Sequence, residues 1–331
     1  MNTVPPVSVQ PQAASLRLAW RPFHFSLPRA LVTAHGAMTD RRGWLLRVER
    51  GDGALGWGEA AGLDAAERPL LPADLAVAGP WAQDALEERL ADLPAPFAFA
   101  LGLALAELDG LGSPASGGWR PAPPSALLLP AGLQAPAALR AALAVAAPPP
   151  AVKWKVAVDA DARERQALEE LLALLPGGCR LRLDANGGWD WPTAAAWAAR
   201  LAREGRLEWL EQPLPPQDRE GLWALARRLP VALDESLRLS PSPPDDWPGW
   251  WVRRPAVEGD PRPLLADLAA GRPRLMISTA LETGIGWRLV AHAAALQQRG
   301  PTPAAPGLAP GWRPQGGLFD PQPDRVWEAA A

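Results

Sequence analysis

The chain has 331 residues, a formal net charge of -3 and one cysteine, Cys179. Near-balanced charge excludes the concentrated basic surface that binding to nucleic acid or an anionic membrane requires. A lone cysteine excludes an internal disulfide and fits a reducing compartment, the cytoplasm. The most apolar run, Phe97 to Leu108, is short and carries Glu107, so no membrane span is expected.

Residues 1–16 lack the basic start and apolar core of a signal peptide and are expected to be a disordered lead-in. Residues 17–26 (LRLAWRPFHF) alternate like a strand, and 43–50 and 54–60 follow as two more. Gly51-Asp52-Gly53 between the last two suits a hairpin turn. Helical segments follow near 81–93 and 96–112. The second places Phe97, Leu101, Ala104, Leu105 and Leu108 on one face. Residues 17–112 therefore form an α+β unit.

A proline-rich break over 114–124 changes the texture. Short apolar strands at 125–129, 151–158, 180–184, 207–211, 230–234, 250–254, 274–278 and 302–306 now alternate with helical runs. These are 134–146, 161–174, 192–204, 218–228, 261–270 and 284–298, and the gap from 234 to 250 has little room for a full helix. The last strand has the weakest pattern. Strand–helix alternation implies a parallel sheet, and eight units imply a closed (β/α)8-type barrel over 113–313. The tail, 314–331, is expected to return to the first unit.

Charges fall at the strand ends. Lys153 and Lys155 lie in the second barrel strand, Asp184 ends the third, Glu211 the fourth, Asp234 the fifth and Arg254 the sixth. Barrel active sites are built at that end. Any one of these residues could be a turn or a surface charge; together they ask for a common cause. Carboxylates on successive apolar strands need a cation among them. An all-oxygen ligand set selects Mg²⁺ or Mn²⁺ over Zn²⁺. Residues i and i+2 of a strand share a face, so Lys153 and Lys155 point inward and Trp154 toward the helices; Asp184 and Asn186 likewise share a face. Adjacent ammonium groups and a metal ion are expected to lower both lysines toward the range useful for a base. His24 and His292 read as structural.

These residues carry a resemblance. VKWKV (152–156), LRLDAN (181–186), EWLEQP (208–213), LDESL (233–237), RRP (253–255), ISTALETGIG (277–286) and PGL (306–308) resemble the muconate-lactonising subgroup of the enolase superfamily. Within it they are most similar to the o-succinylbenzoate synthase family. Thr33-Ala34-His35-Gly36 and GWGEA (56–60) match that family's N-terminal capping domain. The resemblance implies Asp184, Glu211 and Asp234 as ligands of Mg²⁺, with Mn²⁺ an alternative. It implies Lys155 as the base that removes a proton beside a carboxylate, and Lys153 as its electrostatic support. Asn186 and Glu235 would brace the ligands. Ser278, Thr279 and Gly307 would contact substrate, with His35 in a loop over 33–38 that covers the site. The reaction implied is the syn-dehydration of 2-succinyl-6-hydroxy-2,4-cyclohexadiene-1-carboxylate to 2-succinylbenzoate, on the way to menaquinone or phylloquinone. The partner is a small carboxylate substrate; the oligomeric state stays open and a monomer suffices.

The sequence departs from the family at one position. Family members carry lysine before the proline of the sixth strand; here the motif is Arg253-Arg254-Pro255, with either arginine able to face inward. Arginine stays protonated and is no base. Racemisation needs a base on each face of the substrate, whereas syn-elimination needs one. A cation at 254 need only stabilise the enediolate. The substitution favours dehydration over N-acylamino acid racemase or dipeptide epimerase activity, and cycloisomerase activity on the same scaffold stays an alternative. A non-catalytic binding barrel is disfavoured by the intact set of charges.

Overall fold

The computed structural model describes residues 15–33, 36–63, 68–239 and 246–330. The lead-in expected over 1–16 lies outside them except for Ser15 and Leu16, and Leu16 already opens a strand. Strands β1 (Leu16–Thr33), β2 (Gly36–Arg50) and β3 (Leu55–Ala60) form an antiparallel sheet in chain order. The turn at 51–53 closes with Gly53 N donating to Arg50 O at 2.8 Å, and Gly53 takes the left-handed φ of 87° that glycine permits. Both faces of this sheet are covered. Leu16, Leu18, Leu46 and Val48 pack on one side, and Phe23, Phe25, Leu45 and Trp57 on the other.

Helices α1 (Gln83–Arg89) and α2 (Ala95–Leu108) follow. The expectation of a single apolar face on α2 is too narrow, because every residue from Phe97 to Ala106 is buried. One side lies on the antiparallel sheet, while Phe99 and Leu103 pack against Ala256, Ala280 and Leu289. A helix apolar all round is one enclosed on all sides. Gly56 and Gly58 allow the approach: a Cβ on either would sit 2.0 Å from the carbonyl oxygen of Ala104 or Ala100.

The second sheet is parallel and curled. Its seven strands are β4 (Leu127–Leu128), β5 (Ala151–Lys155), β6 (Arg180–Asp184), β7 (Leu207–Glu211), β8 (Val231–Leu233), β9 (Trp250–Arg253) and β10 (Leu275–Ile277), adjacent in chain order. Between them run α3 (Ala135–Val145), α4 (Asp161–Leu174), α5 (Trp191–Leu201), α6 (Arg219–Ala226), α7 (Ser236–Leu239), α8 (Pro255–Glu258) and α9 (Arg262–Ala269), and after β10 comes α10 (Gly284–Gln297). Among the described residues between β8 and β9, the helix is the single turn α7. The outward residues Val152, Trp154, Leu181, Leu183 and Leu210 form a large core with the helices. Inside the curl, Trp209, Ala232, Val252, Met276 and Ala304 form a second core.

The strand expected at 302–306 does not form. Pro301, Pro303 and Pro306 have no N–H to give a ladder. This segment still bonds to both edge strands. Ala126 N, next to β4, donates to Pro306 O at 3.0 Å, and Gly307 N donates to Ile277 O of β10 at 2.8 Å. After it, α11 (Pro323–Ala329) packs Val326 and Trp327 with Phe23 and Trp57 of the antiparallel sheet. Among the described residues no helix is long and apolar enough to cross a membrane.

Candidate active site

The carboxyl ends of the parallel strands bring the charged residues together. Register pairs Lys155 with Asp184 and Asp184 with Glu211, so three strands end in one charged row. Asp234 follows the last residue of β8 and Arg254 the last residue of β9. Trp154 turns outward, where it packs 6.5 Å from Trp197 and donates to Gly132 O. The alternation therefore turns Lys153 and Lys155 inward. A cavity above this row is lined by Lys153, Lys155, Asn186, Asp234, Glu235 and Arg254, with Ser278, Thr279 and Gly307. Its remaining wall is apolar: Leu31 and Met38 from the antiparallel sheet, Leu63, and Ala126, Leu128, Ala280, Leu281 and Ala309. The sequence had not marked this apolar wall, or Arg238 beside it. His35 lies outside the described residues.

Asp184, Glu211 and Asp234 do not stand as a ready-made cage. Among the described residues no three acidic, histidine or cysteine side chains converge as a metal cluster. Two of the protein's own cations draw the carboxylates instead. Lys153 Nζ lies 2.8 Å from Asp184 Oδ2 and 2.6 Å from Glu211 Oε1. Arg254 grips Asp234 with Nε and Nη2 at 3.0 and 2.5 Å. Its third nitrogen donates to Ser278 Oγ at 2.9 Å and Thr279 O at 2.8 Å. Arg254 is thus the arginine that faces the cavity. Arg253 points away and pairs with Glu258 at 2.7 Å.

The two lysines are not alike, which corrects the expectation that both would be lowered. Burial alone would pull Lys153 down, but Asp184 and Glu211 outweigh it and hold its ammonium above the ordinary lysine range. Burial is also the largest influence on Lys155. There Lys153 and Arg254 add to it, Asp184 opposes it, and the ammonium is lowered. Burial, and then the Asp184 and Asp234 charges, push Glu211 up against the pull of Lys153. Arg254 overcomes burial at Asp234 and keeps that carboxyl low. Glu235 is pushed up to about 8 by burial and by Asp234 and Asp184. It accepts a 3.0 Å bond from Asn186 Nδ2, and Asn186 N donates to Asp184 Oδ1 at 3.0 Å.

The donor set fits a hard divalent cation. All the candidate ligand atoms are carboxylate oxygens. Asp184 Oδ2 and Glu235 Oε2 are buried without a hydrogen bond, the former lying beside Lys153 but off the bonding direction. Of the expected substrate contacts, Ser278 Oγ donates to Gly307 O at 3.1 Å, and the Thr279 hydroxyl is spent on Glu282. The remaining histidines serve elsewhere: His292 Nδ1 accepts from Arg120 N, and His24 meets Asp40 at 3.1 Å.

A curled parallel sheet with acidic strand ends, two inward lysines on one strand and an antiparallel sheet over the cavity defines an enolase-type acid–base scaffold. The family model described as enolase C-terminal domain-like matches residues 137–240. The o-succinylbenzoate synthase of Thermosynechococcus vestitus is 35% identical over 292 residues, covering 84% of this chain and 88% of that protein. This chain belongs to the o-succinylbenzoate synthase family of the enolase superfamily. The crystal structure of o-succinylbenzoate synthase from Thermosynechococcus elongatus BP-1, complexed with Mg in the active site, superposes with a TM-score of 0.77. It is 32% identical and covers 95% of this chain and 99% of its own. The L-Ala-D/L-Glu epimerase from Bacillus subtilis shares the fold alone, at a TM-score of 0.63 and 20% identity over 90% of this chain and 91% of that one.

Proposed function

We propose that this protein is an o-succinylbenzoate synthase that removes water from 2-succinyl-6-hydroxy-2,4-cyclohexadiene-1-carboxylate to give 2-succinylbenzoate. The observation that carries this reading is the contrast between Lys155 and Arg254. Burial lowers Lys155 toward a useful base, while the cation four strands away is an arginine locked by four hydrogen bonds. One base suits syn-elimination and not racemisation.

Lys155 takes the proton beside the substrate carboxylate and returns it to the departing hydroxyl on the same face. Arg254 faces the developing negative charge without exchanging a proton. Asp184, Glu211 and Asp234 would hold Mg²⁺, as the Mg-bound relative supports, and Mn²⁺ would serve with the same oxygens. Held by these carboxylates, the ion would supply positive charge to stabilise the substrate carboxylate during proton removal. Lys153 supports the carboxylate end electrostatically, Asn186 braces Asp184, and Glu235 in turn holds Asn186. Ser278, Thr279 and Gly307 shape the wall beside Arg254, and the apolar wall under Leu31 and Met38 excludes water. We read the bonds at 306–307 as joining the sheet edges into a closed (β/α)8-type barrel with an α+β cap.

The test follows absorbance as the cyclohexadiene is converted to 2-succinylbenzoate. Activity is expected to vanish with EDTA and return with Mg²⁺. Lys155→Ala is expected to abolish turnover in a protein that still unfolds cooperatively; substantial residual dehydration would remove Lys155 as base. With an N-acyl amino acid in D₂O, no α-deuteration is expected; rapid deuteration would replace the dehydratase reading with a racemase.

A further inference from the structure

Gln212 sits between two acidic strand ends and carries no charge, so charge-based reasoning passes over it. It is fully buried, and its φ of 35° lies in the left-handed region that non-glycine residues avoid. A residue held in such a conformation must be fixed by its surroundings. Here every polar group of Gln212 is engaged. Its side-chain Oε1 accepts from Asp234 N at 3.2 Å and Ser236 N at 3.1 Å. Its Nε2 donates to Ser236 Oγ at 2.8 Å and Leu214 O at 3.0 Å. Its main-chain N donates to Ala232 O at 2.8 Å, and its carbonyl accepts from Gly187 N at 2.7 Å.

These bonds reach three strand ends. The amide clasps the turn that follows β8, which carries Asp234 and Glu235. The carbonyl clasps the turn after β6, which carries Asp184 and Asn186. Gln212 itself follows Glu211 directly on β7. No other side chain combines two donors and an acceptor at this length: glutamate would offer no donors, and methionine would fill the space with no hydrogen bond. Asn186 adds a second link through Glu235, yet it has no bond to the backbone of the Asp234 turn.

We propose that Gln212 is the positioning residue that sets Asp184, Glu211 and Asp234 in the mutual geometry a divalent cation requires. This rests on the metal reading above. Partners that orient ligands without touching the metal typically change metal affinity 10–100-fold when removed.

The experiment titrates Mn²⁺ into the purified protein and reads bound ion by electron paramagnetic resonance. Gln212→Met is expected to weaken Mn²⁺ binding about tenfold. Its activity should recover toward the wild-type kcat at saturating Mg²⁺, so the loss appears as a raised metal requirement. Leu225→Ala, in the outer core away from the site, should lower thermal stability and leave Mn²⁺ affinity unchanged, separating positioning from general stability. A folded Gln212→Met protein that binds Mn²⁺ within twofold of wild type would overturn the proposal. Should that variant fail to fold, Ser236→Ala removes only the hydroxyl that receives Gln212 Nε2; unchanged Mn²⁺ binding there overturns the proposal equally, and weakening of roughly twofold to threefold supports it. Wild-type protein that binds no Mn²⁺ would instead refute the metal reading itself.

Discussion

Position 254 shows what a single side chain decides. A lysine there would offer one compact ammonium. The guanidinium offers a planar fork that meets both oxygens of Asp234 and still reaches Ser278 Oγ and Thr279 O. From sequence, any cation at 254 would serve an enediolate equally well. The structure makes the fork itself part of the wall. Arg254→Lys is therefore expected to lower kcat/KM for dehydration by roughly 10–100-fold, matching the loss of one charge-assisted hydrogen bond of about 1.5–3 kcal/mol. Steady-state assays at saturating Mg²⁺ check this. Activity equal to wild type would mean that charge alone suffices.

At the scale of elements, the acidic strand ends on the parallel sheet have a counterpart between the sheets. Glu59 ends the GWGE run of β3 and is buried against the start of α10. It accepts bonds from the Thr283 hydroxyl, from Thr283 N at 3.3 Å and from Gly286 N at 2.9 Å. Burial above all pushes its carboxyl up to about 7. Glu282 adds to this, while Thr283, Gly286 N and Arg41 oppose it, and Arg313 also faces it. The folded state thus holds a proton that the unfolded chain releases near pH 4.5. The unfolded state binds fewer protons across that window, so stability falls as pH rises from about 4.5 to about 7. The full difference is on the order of 3 kcal/mol. Glu59→Gln is expected to flatten that part of the pH–stability curve, measured by urea unfolding at successive pH values. An unchanged slope would mean that Glu59 is ionised throughout. The charged strand ends were readable from sequence because a strand alternates with period two and leaves an ionised residue conspicuous. The partners of Lys153, Asp184 and Glu211, were not readable, since they depend on how far a flexible side chain reaches across two strands. Gln212 was hidden because it is neutral. Residues 302–306 resemble a strand in short apolar composition, but Pro303 and Pro306, with Pro301 just before them, outweigh it, and the second buried side of α2 becomes visible only once α8 and α10 lie against it.

For the molecule as a whole, one apolar cluster joins parts far apart in the chain. Phe23, Leu45 and Trp57 of the antiparallel sheet meet Leu281 and Ile285 near the start of α10, and Val326 and Trp327 of α11 close the group. Trp327 lies edge-on to Trp57 at 5.9 Å and beneath the Arg21 guanidinium at 4.6 Å. Leu31 and Met38, which line the cavity from above, pack against this same cluster. The last helix therefore supports the roof of the site without touching its chemistry. Trp327→Ala is expected to cost about 3–5 kcal/mol, as for a buried aromatic truncation. Since the cluster spans both sheets, unfolding should remain a single transition rather than separating into two. The loosened roof should raise KM for the cyclohexadiene while kcat at saturation stays near wild type, because Lys155 and the acidic strand ends lie on the opposite side of the cavity from α11. Urea titration and steady-state kinetics on the same preparation check both halves. A large stability loss with unchanged KM would mean that Leu31 and Met38 hold their places through β1 and β2 alone.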